Sequence, residues 1–254
     1  NENAEARVEY ILKGEGEEVY QPAFSYFGFQ FVEITSSGEM PEIVDLEGHV
    51  IYSANDRVGN FSCSHDLINK MHHATVWSQM SNMLSYPMDC PQRDERLGWM
   101  GDAQVTAEEA MFNFDMANFY ENWFMGIRAN QDESGDIPII SPRPYIKDEG
   151  IEWSSSYITM VWNHYLYYGD SIILKDNYSA MVSYLDYLTS IADNHILPKG
   201  WIGDWGSMVE GWKEGEPEST PTAYYFYNST ILTKVPKILG EDQDARHFEK
   251  LSIE

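Results

Sequence analysis

Asp89-Cys90-Pro91-Gln92-Arg93-Asp94-Glu95-Arg96-Leu97-Gly98-Trp99-Met100-Gly101-Asp102 gathers four carboxylates, two arginines and one tryptophan into fourteen residues. Beyond it the chain turns helical. Ala103, Ala107, Ala110, Met111, Phe114, Ala117, Phe119 and Phe124 recur at helical spacing, which predicts one helix over 102–130. Pro91 favours an extended or turn geometry at Cys90, and Gly98 and Gly101 permit close backbone approach. The stretch reads as a loop that delivers side chains to the start of a helix. Asp94 and Glu95 are neighbours whose side chains point apart in a turn or extended segment. Arg93 and Arg96 flank them, and an opposite charge within ~4–6 Å lowers a carboxyl pKa. One acid is therefore expected to stay ionised while the other keeps its proton. The plainer alternative is a solvated helix start with local ion pairs, which often imitates an active site.

Outward from this loop, the pattern predicts a mainly α fold. Ser64-His65-Asp66 opens a helix carrying Leu67, Ile68, Met71 and Ala74 that ends before Pro87. Further helices are predicted over 155–168, closed by Gly169-Asp170, over 171–192 and over 222–239. Long connectors over 132–154 and 197–221 hold Gly, Pro and Trp. Five helices joined by such loops resemble part of an α/α toroid, whose loops at one end build the site. Ahead of them, Phe27, Phe29 and Phe31 alternate with Gly28, Gln30 and Val32, which predicts a strand over 24–32; residues 8–12 and 50–52 are shorter β-like runs. So few strands rarely make a stable domain alone. Residues 1–60 are expected to be the end of a β-sandwich domain with its linker, and 61–254 the first part of a helical catalytic barrel.

Composition removes several classes of function. Lys plus Arg number 16 against 41 Asp plus Glu, a net charge of −25, where a phosphate-backbone partner calls for clustered basic residues. Nucleic acid is not an expected ligand. There is no run of eighteen apolar residues, and the first residues lack a charged-then-apolar leader. A soluble chain without membrane insertion is expected, its compartment unknown and export with a removed leader left open. Cys63 and Cys90 form no Cys-x-x-Cys pair and are expected to be buried thiols. His72 and His73 are adjacent on a helix and face different ways, and no His-Glu-x-x-His motif, nucleophile elbow or phosphate loop occurs. No metal or cofactor is expected, although calcium on loop carboxylates stays open. His164, Tyr225 and Tyr227 read as core or inter-helix residues.

What remains is sugar chemistry. A glycosidase must protonate a leaving oxygen, stabilise an oxocarbenium-like transition state and hold a pyranose ring. Carboxyl groups in unlike environments beside flat indoles suit that task. Glu152-Trp153 and Gly203-Asp204-Trp205-Gly206 set tryptophan beside a carboxylate twice more, each in a connector, and three converging loops would line one pocket. The competing reading of each pair is a tryptophan sealing the core with its acid in water.

The string from Asp89 to Asp102, continued by Ala103-Gln104, closely resembles the signature of bacterial α-L-rhamnosidases of glycoside hydrolase family 78. Phe27-Gly28-Phe29-Gln30-Phe31-Val32-Glu33 and Phe61-Ser62-Cys63-Ser64 resemble the end of that family's β-sandwich and the entry to its six-hairpin helical barrel. The resemblance implies Glu95 as general acid, with Asp89 and Asp102 as carboxylates that hold rhamnose hydroxyls and shape the charge around the anomeric carbon. It implies Arg93, Asp94, Trp99, Trp153, Asp204 and Trp205 around a rhamnose-containing glycoside or polysaccharide. It further implies inversion of configuration, with a second carboxylate about 6.5–9.5 Å from the acid and well downstream. The chain is thus expected to be part of a rhamnosidase that supplies the acid and lacks the base. Ser154-Ser155-Ser156 stands where the family often has an acidic residue after the tryptophan. A toroidal glycosidase for another sugar and a noncatalytic carbohydrate-binding protein are the alternatives.

Overall fold

The computed structural model describes residues 6–143, 150–197 and 219–253. Helix α1 (Asp66–Asn82) ends in two short antiparallel strands, β1 (Met83–Leu84) and β2 (Tyr86–Pro87), joined at Ser85, which takes φ +69°. Residues 88–99 then form the acidic loop, and α2 (Met100–Asn113) and α3 (Ala117–Ala129) follow.

The single helix predicted over 102–130 is therefore two. Phe114 is extended (φ −133°, ψ 154°) and bridges to Arg57. The Asp115 backbone N–H donates to the Asp56 carbonyl (2.8 Å), and that of Met116 to the Tyr168 hydroxyl (2.8 Å). Long-range partners have taken groups that a continuous helix would pair internally, and apolar spacing records no such competition.

Beyond α3 come α4 (Ile151–Ser154), α5 (Ser156–Tyr168) and α6 (Ser171–Ile191). Gly169 ends α5 in the left-handed region at φ +70°, and the Asp170 carboxylate caps α6 by accepting from the Ile172 N–H at 2.8 Å. The predicted fifth helix also divides, into α7 (Ser219–Leu232) and α8 (Val235–Leu239), with Pro236 in the first turn of α8. Proline is tolerated there because that N–H has no intrahelical partner. A last helix, α9 (Asp242–Leu251), was not predicted: only Ala245, Phe248 and Leu251 interrupt its polar sequence, and Ala245 and Phe248 are buried.

The core lies between these helices, with Met100, Ala107, Phe124, Ile127, Tyr157, Ile158, Leu174, Tyr184 and Leu188 out of contact with solvent. Within it the Tyr157 hydroxyl donates to Asn177 Oδ1 at 2.6 Å, and Arg128 donates to the same oxygen. Burial holds the Tyr157 phenol well above its usual pKa.

The individual strands read from the sequence over residues 6–60 are not formed. No strand forms at 8–12, 24–32 or 50–52, and Phe24, Phe29 and Phe31 are exposed. A strand needs a ladder partner, and among the described residues these runs find none. Residues 53–59 instead bond to β1 and the end of α2: Ser53 N–H to the Met83 carbonyl (2.7 Å), and Val58 and Gly59 N–H to that of Asn113 (3.0 and 3.2 Å). Cys90 is buried as expected, but Cys63 is exposed, ahead of α1. Tyr225 and His164 are buried, whereas Tyr227 points out. No helix among the described residues is long and apolar enough to cross a membrane.

His164 carries a consequence for stability. Its Nε2–H donates to the Ala117 carbonyl (3.1 Å), and its ring packs against Phe124 and Tyr168. Burial holds its pKa below the usual value, against the opposing pull of the Ala117 carbonyl and of Glu121, Asp170 and Asp115. The unfolded state then binds the proton first, so this contribution is complete above the unfolded pKa of about 6.5 and is lost as pH falls below it. Urea unfolding between pH 7.5 and 5.5 should show stability falling, and His164→Gln, which keeps a donor for Ala117, should flatten that part of the profile.

Candidate active site

The acidic loop is closed by its first carboxylate. The Asp89 N–H donates to the Leu97 carbonyl (3.0 Å), and the Leu97 N–H returns to Asp89 Oδ1 (2.7 Å). The Asp89 side chain is only 3% exposed, and its other oxygen receives the Arg93 guanidinium at 3.0 Å. The same Arg93 nitrogen lies 3.4 Å from Glu95 Oε2. Glu95 Oε1 accepts from the Trp99 indole N–H at 2.9 Å. Asp89, Arg93, Glu95 and Trp99 are thus one connected group, with a cation shared between two acids. Asp94 sits half-buried in the same loop. Arg96 departs from expectation: its guanidinium lies over the Tyr26 ring instead of clamping an acid.

Two further segments meet this loop. Residues 139–141 brace it through Met100 N–H to the Ile139 carbonyl and Ser141 N–H to the Gly98 carbonyl, both 2.9 Å. Ile139 and Ile140 are buried and pack with Leu97, Trp99 and Trp153, an apolar base shared by both indoles. A Cβ at Gly98 would lie 2.9 Å from the Ser141 carbonyl carbon. Trp153, on α4, reaches the first turn of α2, where a Cβ at Gly101 would lie 2.6 Å from its Nε1. The close approach read from Gly98 and Gly101 is therefore present at both.

The Trp153 indole N–H reaches Asp102 Oδ2 at 3.4 Å. Burial around that carboxyl raises its pKa, the Trp153 hydrogen bond opposes the rise, and the Asp89 and Glu95 charges add to it. Asp102 as a whole residue still meets solvent. Its proton is held to higher pH than an ordinary aspartate's.

Glu152 and Trp153 divide: Trp153 joins the site, and Glu152 is buried, only 2% exposed. The three serines after Trp153 fasten the helices. Ser154 donates to the Ile137 carbonyl (2.5 Å), Ser155 meets the Tyr184 hydroxyl (3.2 Å), and Ser156 donates to Gln104 (2.6 Å). Asp204 and Trp205 lie outside the described residues. Ligand atoms of Asp89, Cys90 and Glu95 come within 4.8 Å of one another, but the Arg93 guanidinium already bridges the two carboxylates and supplies positive charge there. The contributions of Tyr26 and of 139–141 were not foreseen, and only the short apolar run Ile137-Pro138-Ile139-Ile140 hinted at the second.

A helical array in which the loop ahead of α2, the start of α2 and α4 gather paired acids and indoles is what a toroidal glycosidase calls for. Residues 56–254 match the model of the bacterial α-L-rhamnosidase six-hairpin glycosidase domain, and residues 2–52 that of the bacterial α-L-rhamnosidase concanavalin-like domain. The chain belongs to the bacterial α-L-rhamnosidase family. It is 32% identical to an α-L-rhamnosidase of Streptomyces avermitilis over 94% of this chain and 23% of that protein. With one from Formosa agariphila it shares 29% identity over 98% of this chain and 28% of that protein. Among solved structures, the α-L-rhamnosidase from Dictyoglumus thermophilum superposes with a TM-score of 0.77 at 41% identity, over 84% of this chain and 24% of that one. The Streptomyces avermitilis enzyme complexed with L-rhamnose superposes with a TM-score of 0.72 at 27% identity, over 79% and 19%. The chain therefore spans about a quarter of the curated relatives it matches.

The Gly101 contact yields a direct check. Gly101→Ala should destabilise the protein by about 1–3 kcal/mol through overpacking against Trp153. Adding Trp153→Leu should relieve part of that loss, so that urea titrations of the two single variants and the double variant give non-additive changes.

Proposed function

We propose that this chain carries the acid side of a site that hydrolyses terminal α-L-rhamnosyl residues from glycosides with inversion, and that the general base comes from residues outside it. The observation that carries the reading is the connected group in which Arg93 bridges Asp89 and Glu95 while the Trp99 indole holds the far oxygen of Glu95. The family membership and the rhamnose-bound structural relative support the choice of sugar.

In this reading Glu95 takes up a proton from solvent before each turnover and gives it to the glycosidic oxygen as the bond from that oxygen to the anomeric carbon breaks. Water adds to the anomeric carbon from the opposite face and loses a proton to the base. Asp89, buried and already bonded to Leu97 and Arg93, fixes the guanidinium that orients Glu95. Asp102 binds a sugar hydroxyl, as acceptor when ionised and as donor when protonated. Trp99 and Trp153 wall the ring, and Asp94, Asp204 and Trp205 are further candidates for sugar contact. Rhamnose-containing glycosides or polysaccharides are the expected substrates.

L-Rhamnose bound only by the native state should raise the thermal midpoint of the 254-residue chain, a stabilisation of about 2.7 kcal/mol at one hundred times Kd. Trp99→Ala should remove most of that rise. Absence of any shift at high rhamnose, against a shift with another monosaccharide, would reassign the sugar. On 4-nitrophenyl α-L-rhamnopyranoside the isolated chain should turn over at least ~10²-fold more slowly than a full-length family member, the lower end of one acid–base contribution. Comparable turnover would overturn the assignment of the base to residues outside this chain.

A further inference from the structure

We propose that Tyr26, in the segment ahead of the helices, is a positioning residue for the acidic loop. It seats Arg96, and through Arg96 it fixes the backbone that carries Arg93 and Glu95. The Arg96 guanidinium carbon lies 4.4 Å from the centre of the Tyr26 ring, a cation–π contact. Arg96 Nε donates to the Arg93 carbonyl at 3.0 Å, and the Arg96 carbonyl accepts from the Tyr86 hydroxyl at 3.2 Å. Its backbone is left-handed, φ +48°, a conformation that a non-glycine residue keeps only when its surroundings hold it there. Those surroundings are Tyr26, β2 and the Arg93 backbone.

Tyr26 makes a second connection to the loop. Its hydroxyl donates to Met88 Sδ at 3.1 Å, one residue before Asp89. Two residues further on, the Gly28 backbone runs so close to the loop that a Cβ there would lie 3.0 Å from Gln92 N and from the Pro91 carbonyl carbon. The segment thus touches the loop at Met88, at 91–92 and at Arg96, on either side of the shared cation. Without the ring the Arg96 cation turns to water, the left-handed turn loses one of its supports, and Arg93 and Glu95 lose the backbone register that brings Glu95 to Trp99.

The proposal rests on the reading of the Glu95–Trp99 pair as the working arrangement of the acid, yet its test needs no sugar. In the ¹⁵N-labelled 254-residue chain, the indole N–H resonance of Trp99 reports its bond to Glu95, and that of Trp162, packed against Tyr165 and Lys234, is the control. Trp99→Phe and Trp162→Phe assign the two signals. Tyr26→Leu and Arg96→Gln should each shift or broaden the Trp99 signal and leave that of Trp162 in place. Tyr26→Phe, which keeps the ring and loses only the Met88 contact, should move the Trp99 signal less than Tyr26→Leu does and leave that of Trp162 in place. A purely structural role would lower the thermal midpoint without singling out Trp99. Should Tyr26→Leu fail to fold, Arg96→Gln decides alone. A Trp99 signal that stays put in Arg96→Gln, or moves only together with that of Trp162, overturns the proposal. Because the protein is free of ligand throughout, that result is separate from any failure to bind rhamnose.

Discussion

The buried carboxylate of Asp89 is the constraint on which the rest of the site depends. One oxygen closes the loop on the Leu97 N–H, and the other holds the Arg93 guanidinium. A carboxylate this far from water is costly unless both oxygens are bonded, and its position in turn dictates where Arg93 must stand. Glu95 is more open, with 33% of its side chain exposed, and it meets the same guanidinium from the solvent side. The charges are therefore graded from a fixed, buried anion through a shared cation to an accessible acid. Removing Asp89 would leave the cation held by the exposed partner alone, and exposed ion pairs contribute little.

That gradation was legible in part. The acids, the arginine and the tryptophan were identified because their types and spacing are unusual, and Gly98 and Gly101 because only glycine allows the approach that the structure shows at both. The roles of the two arginines were not separable. Arg93 and Arg96 flank the acids symmetrically in sequence, and only the φ +48° turn at Arg96 sends its side chain to Tyr26, seventy residues earlier. Partners of that kind leave no mark on local spacing.

The fold shows the same division between local and distant causes. The existence of the helices ahead of α9 followed from apolar periodicity, and the left-handed Gly169 and the capping Asp170 ended and began helices where expected. The break at 114–116 did not, because it is set by Asp56, Arg57 and Tyr168 taking bonds from a chain whose own pattern favours continuation. The strands of 6–60 failed for the opposite reason. Their alternation is real, but a strand is a relation between two segments, and alternation in one cannot supply the other.

The two tryptophans join geometry to the proposed chemistry. An indole has one N–H and no acceptor. Trp99 directs its N–H to Glu95 and Trp153 directs its N–H to Asp102. Each then offers a ligand only its ring, and beneath both rings lie Leu97, Ile139 and Ile140. In the proposed reading a sugar hydroxyl set against these walls gives up water for no partner, whereas a C–H face or a methyl group loses nothing. Selection for a deoxy sugar would follow from committing the indole donors to carboxylates before any ligand arrives. The same bonds that hold Glu95 and Asp102 in place make the walls apolar, so orientation of the acids and preference for the sugar would come from a single set of contacts.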